Sequence, residues 1–297
     1  MADTAATQLE TGERARRGKA KAFSRLKASP LSLAAMLILV VLLMATVFGP
    51  LIVPYPEDAE GSIHPDIRLQ APNWGHPFGT DELGRDVFSR VVLGARISMT
   101  IGVIVLIIGV SIGTVLGATA GFAGGRLNEA IMRCTDIMIA IPELILALAI
   151  TAVLGRSLAN TMIAIGLVRW PIYCRLVQAQ VLWLKTEAFV EAAVAVGARP
   201  ARVLFRQILP NCVSPVIVRA SLDLGLAILT AAALGFLGLG AQDPVPEWGA
   251  LVSDSRKTFP AAWWSATFPG LAIFLTVFAC NVLGDALRDI LDPRMTD

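Results

Sequence analysis

Uncharged apolar runs occupy residues 31–53, 97–123 and 263–283, each as long as the roughly 20 residues a helix needs to cross a bilayer core. Backbone amides find no water there, so each run is expected to close its hydrogen bonds internally as a helix. Three further runs carry charge: 137–155 holds Glu143, 158–174 holds Arg169, and 212–240 holds Arg219 and Asp223. The pattern predicts an all-α membrane protein with six transmembrane helices. Polar stretches at 54–96 and 175–211 separate them. The first run exceeds the 7–15 apolar residues of a secretory signal core, so it is expected to stay in the mature chain.

Six spans put both termini on one side, and loop lysines and arginines indicate which side. With the N-terminus inside, 16 of them fall in cytoplasmic segments and 7 in outer ones. Both termini are therefore expected in the cytoplasm, with 54–96 outside. The seven basic residues from Arg14 to Lys27 suit a tail near anionic lipid headgroups. Composition agrees: 55% of the 297 residues are hydrophobic and 16% charged, against about 25% charged in soluble domains. A net charge of +2 gives no basic footprint for nucleic acid. Cys134, Cys174, Cys212 and Cys280 lack the paired spacing of thiolate metal sites and read as small buried hydrophobes. His64 and His76 lie far from any of them, so no metal site is expected.

The 175–211 stretch is long enough to need structure of its own. Alanine-rich 187–196 predicts a short helix, with Gly197 as its left-handed stop. Pro200 suits the first turn of a second, basic helix over 200–209, and Pro210 is expected to end it. The result is a helical elbow on the cytoplasmic side. No G-x-x-x-x-G-K-[ST] string occurs, so any nucleotide is bound elsewhere.

Glu191-Ala192-Ala193, followed by Gly197 and by Leu209-Pro210, resembles the EAA loop of importer permeases of the ATP-binding-cassette superfamily. Gln207 stands where an isoleucine is usual, and Ile208 follows. The outer string from Pro77 to Arg90 (PFGTDELGRDVFSR) is similar to the signature of the C-type subunit of dipeptide, oligopeptide and nickel permeases. Leu237-Gly238-Leu239-Gly240, Pro246-Glu247-Trp248-Gly249, and the tail from Leu283 to Arg294 agree with it. The resemblance implies a type I importer permease fold in a bacterial inner membrane. It divides the chain into a cytoplasmic tail (1–30), a first span (31–53), an outer loop with an interfacial helix (54–96), a five-helix core containing the EAA loop at 187–210 (97–284) and a cytoplasmic tail (285–297).

The same resemblance implies a second homologous permease, two cytoplasmic ATPase subunits and an extracytoplasmic solute-binding protein, with ATP and magnesium on the ATPases and no cofactor on this chain. Glu191, Ala192, Ala193, Gly197, Arg199, Leu209 and Pro210 are then expected to couple to the ATPase. Peptides are the first expected solute, with nickel complexes or other small solutes as alternatives. A secondary transporter is the alternative class, disfavoured because no repeated broken helices are visible. An intramembrane hydrolase would need a base inside a span, and neither histidine is in one.

Charges at membrane depth are costly and face cavities or partners. Arg219 and Asp223, four apart on one helical face, are expected to pair, with contact to the solute along the pathway as the alternative. Arg169 is expected to snorkel near the inner interface. Glu143 has no local basic partner: it either faces the pathway or the companion permease, or reaches water at the inner boundary. Gly109, Gly113 and Gly117 expose backbone on one face for close packing. Pro142, Pro171 and Pro269 mark expected bends. A helix from about Asp81, carrying Arg85, is expected at the pathway mouth and, with Glu247 and Trp248, to contribute to a binding-protein contact.

Overall fold

The computed structural model describes residues 30–291; the basic tail and the Asp292-Pro293-Arg294 string lie outside the described residues. Helix α1 spans Pro30–Ile52 and α2 spans Val87–Ala123, with short 3-10 turns at Pro56–Ala59 and Pro65–Ile67 between them. Then come α3 (Gly125–Ala140), α4 (Glu143–Leu154), α5 (Leu158–Leu184) and α6 (Ala188–Ala195). A short α7 (Pro200–Arg202) runs through a π-helical turn (Val203–Ile208) into α8 (Leu209–Phe236). Helices α9 (Trp248–Asp254) and α10 (Trp264–Leu291) complete an all-α fold with no strand among the described residues.

Among the described residues, four helical stretches are long and apolar enough to cross a membrane: Pro30–Ile52, Val87–Ala123, Pro200–Phe236 and Trp264–Ile290. The bent pair α3–α4 raises the number to five if it counts as one span. Helix α5 has the length but carries Arg169 and Arg175 and is not among them. In α1 only Ala35, Leu42 and Gly49 are buried. They stand seven apart and form a narrow seam, packed on α2 and α10. Leu37, Val47 and Leu51 are exposed, as suits lipid or another subunit.

The widest interface joins α2 to α5, and glycine makes it possible. A Cβ on Gly113 would lie 2.5 Å from the Trp170 carbonyl oxygen, and one on Gly117 would lie 2.3 Å from that of Cys174. Gly109 faces Arg169 in the same row. Bare backbone lets the two helices meet at close range, the arrangement expected of small residues in lipid.

Several expectations are corrected. Helix α2 starts at Val87, ten residues before the apolar run, because the Asp86 carboxylate caps its first turn at 2.7 Å from the Ser89 amide. The stretch from Asp81 to Asp86 is a turn and not an interfacial helix. Run 137–155 is no straight span: α3 and α4 meet at 94°. Ile141 is forced into an extended conformation ahead of Pro142, whereas α5 and α10 run through Pro171 and Pro269. Pro210 does not end its helix. The Leu209 amide bonds the Leu204 carbonyl in a widened turn, and Pro210 then sits in the first turn of α8, where a missing donor is tolerated. Cys134 is exposed, while the other three cysteines are buried.

Candidate functional site: an intramembrane charge chain and a helical elbow

Helices α4, α5 and α8 bring four charges together. Arg169 on α5 is only 2% exposed, which removes it from the interface where snorkelling was expected. Its guanidinium Nη2 lies 2.7 Å from Glu143 Oε1, and its Nη1 lies 3.7 Å from Asp223 Oδ1. Glu143 therefore has a basic partner, one that comes from the next helix and not from its own. Arg219 holds Asp223 at 3.0 Å through Nη2 and donates from Nε at 3.2 Å. Thr230 Oγ1 sits 3.4 Å from both Arg169 Nη2 and Glu143 Oε1. The order is Arg219, Asp223, Arg169, Glu143. The inner two side chains are buried, while the outer two are 41% and 35% exposed. Alternating signs in contact keep the group electrically neutral, which low-dielectric surroundings demand.

The elbow is built as capping rules dictate. Helix α6 ends in a Schellman motif: the Ala198 amide bonds the Ala193 carbonyl at 3.0 Å and the Gly197 amide bonds that of Val194 at 2.9 Å. Gly197 has φ +80°, where a side chain is strained. Val190, Val203 and Ile208 are buried in one cluster with Val181, Leu184 and Cys212, which fixes the elbow to α5 and α8. Its other face is open: Glu191, Ala192, Gly197, Arg199 and Pro210 are exposed, and Ala193 and Leu209 half-buried. Lys185 donates to the Phe122 carbonyl at 3.0 Å, where a cation suits the C-terminal end of α2.

On the opposite side, Asp81 is a hub. Its Oδ1 accepts from the Leu83 and Arg85 amides at 2.8 and 2.9 Å, and its Oδ2 accepts from Arg85 Nε and Arg90 Nη1 at 2.8 and 2.7 Å. Arg85 also reaches Asp243 at 2.6 Å. These groups border a pocket of about 470 Å³ that also reaches Asp254 and Thr258. Glu247 and Trp248, expected at a partner contact, are instead 2% and 1% exposed. Glu247 caps α9 by accepting from the Gly249 and Ala250 amides at 2.9 and 2.8 Å, and burial pushes its carboxyl above the ordinary range. Trp248 donates to the Val91 carbonyl at 2.9 Å. Both serve packing; the cue was the acid directly before a short apolar helix.

Arg90 and Arg169 were missed as site residues. Arg90 is 2% exposed and balanced by Asp81. The signal for Arg169 was a lone arginine inside an otherwise apolar run, which lipid does not accept without a partner; Arg90 lies in the polar 54–96 stretch and gave no such signal.

Apolar helices long enough to span a bilayer, with a neutral charge chain between them, define a polytopic membrane protein. Residues 113–297 match the family described as binding-protein-dependent transport system inner membrane component, and residues 20–72 match the N-terminal TM domain of oligopeptide transport permease C. The chain belongs to this family. It is a multi-pass inner-membrane permease subunit of an ABC importer and is not itself the catalytic subunit. It is 46% identical to the dipeptide transport system permease protein DppC of Alkalihalophilus pseudofirmus over 93% of this chain and 90% of that one. Identity is 45% to the probable D,D-dipeptide transport system permease protein DdpC of Escherichia coli, over 93% and 91%. It is 44% to the glutathione transport system permease protein GsiD of Pectobacterium atrosepticum, over 86% and 85%.

Proposed function

We propose that the chain forms half of the translocation pathway of an importer for dipeptides or oligopeptides, beside a second homologous permease, above two ATPase subunits and below a solute-binding protein. Six spans are proposed, with α5 and the bent α3–α4 pair completing the set and both termini cytoplasmic. The observation that carries the reading is the elbow. Its open face offers Glu191 and a slim alanine surface, while its buried face is locked to α5 and α8. A stiff element transmits a push that a loose loop would absorb. Nucleotide binding draws the ATPases together, the elbows move inward, and the pathway opens outward to take solute. Hydrolysis reverses the motion. On the outer side the contact with the binding protein is proposed at the rim around Asp81 and Arg85, where Glu82 and Asp243 are exposed.

Peptide is the proposed cargo because the similar proteins carry dipeptide and glutathione in their names. Glu191→Arg in the assembled complex tests the coupling. Uptake is expected to fall about tenfold or more, the effect of losing one charged contact of 1.5–3 kcal/mol. Uptake at the wild-type rate would sink the reading.

A further inference from the structure

The charge chain is incompletely satisfied within and partly open at its ends. First, Arg169 is tied through Nη2, to Glu143 at 2.7 Å and Thr230 at 3.4 Å: its Nε and Nη1 are buried without a hydrogen-bond partner, and Nη1 stands 3.7 Å from Asp223. Buried donors without acceptors are costly, and closing that gap would give Nη1 an acceptor. Second, the two ends of the chain, Glu143 and Arg219, are partly open while its middle is sealed. A carboxylate and a guanidinium on spanning helices do not face hydrocarbon; they face a wet pathway or the companion subunit.

Together these make an exchange. If Arg169 moves fully onto Asp223, both buried charges are satisfied by each other, and Glu143 and Arg219 are released in the same step. An open anion and an open cation then stand at the two ends of the chain, and the group stays neutral before and after. The ligand that fits carries an ammonium group and a carboxylate on one small molecule.

We propose that Glu143 and Arg219 are the two ends of a transient site for a zwitterionic solute, taking its ammonium and its carboxylate respectively, and that buried Arg169 and Asp223 pair when that site is occupied. This rests on the importer reading and assigns the solute its contacts. Glu143, at the first turn of α4 just beyond the 94° break, is placed to move with that half-helix. Binding therefore exchanges an α4–α5 tie for an α5–α8 tie.

The experiment uses the whole transporter in proteoliposomes with its binding protein and alanyl-alanine as the probe, measuring peptide taken up per ATP hydrolysed. Glu143→Gln is expected to lower that ratio about tenfold, the cost of one charge-assisted hydrogen bond, and Glu143→Asp to recover most of it. A ratio unchanged in Glu143→Gln overturns the site. A loss accompanied by a fall in the thermal midpoint of the complex, and not recovered by Glu143→Asp, also overturns it, by making the chain a structural tie. As a second measurement, Thr230→Cys, beside Glu143 and not one of the two ends, is reacted in a Cys134→Ser background with a small cationic thiol reagent. Alanyl-alanine with loaded binding protein and trapped ATPase is expected to slow the reaction several-fold. Unchanged reactivity overturns occupancy. Wild-type proteoliposomes that take up no peptide in the presence of ATP would instead overturn the importer reading itself.

Discussion

Gly113 touches the Trp170 carbonyl and the Tyr173 Cβ so closely that an added Cβ would sit 2.5 Å from both. A backbone atom cannot swing away, so Gly113→Val must push α2 off α5. The expected loss is about 1–3 kcal/mol, read as a lower thermal midpoint of the detergent-solubilised protein. Gly270→Ala is the control, since its Cβ meets nothing within 4 Å, and its effect should stay within about 0.5 kcal/mol. Glu247 gives a residue-scale prediction of another kind. Burial raises its carboxyl above the ordinary 4.5, although two α9 amides pull the other way. Because the folded value exceeds the unfolded one, the group's contribution is whole below 4.5 and is lost as pH rises through the raised value. Thermal midpoints measured across that window should decline with pH, and Glu247→Gln should flatten the decline while keeping one cap acceptor.

Helix α6 and its stop were legible because they follow local rules: alanine propensity, a glycine at the C-terminal turn, and a proline opening the next element. Gly197→Ala tests that grammar alone, since nothing lies within 4 Å of an added Cβ. The left-handed φ then costs about 1–2 kcal/mol. Faster hydrogen exchange of the α6 amides is the expected sign, with α5 unaffected. The Arg219–Asp223 contact was legible for the same reason, being an i,i+4 pair on one helix. Elements were misread where a long-range partner overruled a local signal. The apolar run was bounded by Arg96, but α2 begins ten residues before Ile97, behind the Asp86 cap, and carries Arg90 neutralised by Asp81. Pro210 looked like a stop, but a π-helical turn ahead of it supplies the slack. The Arg169–Glu143 pair spans a helix break and a change of direction, so no spacing rule could find it.

At the scale of the molecule, the apolar pattern located the three uncharged spans, since lipid enforces one rule along each of them. It could not locate the seams, which depend on where α4, α5 and α8 meet. Orientation is the molecular property most open to a direct test. The proposed orientation, argued from the loop charges, puts the outer segment and the elbow on opposite sides of the membrane, and each offers a well-exposed position: Trp74 in the first and Val196 in the second. With exposed Cys134 replaced by serine, Trp74→Cys should react with a membrane-impermeant maleimide added to intact cells. Val196→Cys should react only after permeabilisation, in membranes stripped of peripheral subunits. Inside-out vesicles should give the reverse pattern. Were Val196→Cys labelled from outside in intact cells, the elbow could not meet a cytoplasmic ATPase, and the coupling of nucleotide to pathway through α6 would have no physical route.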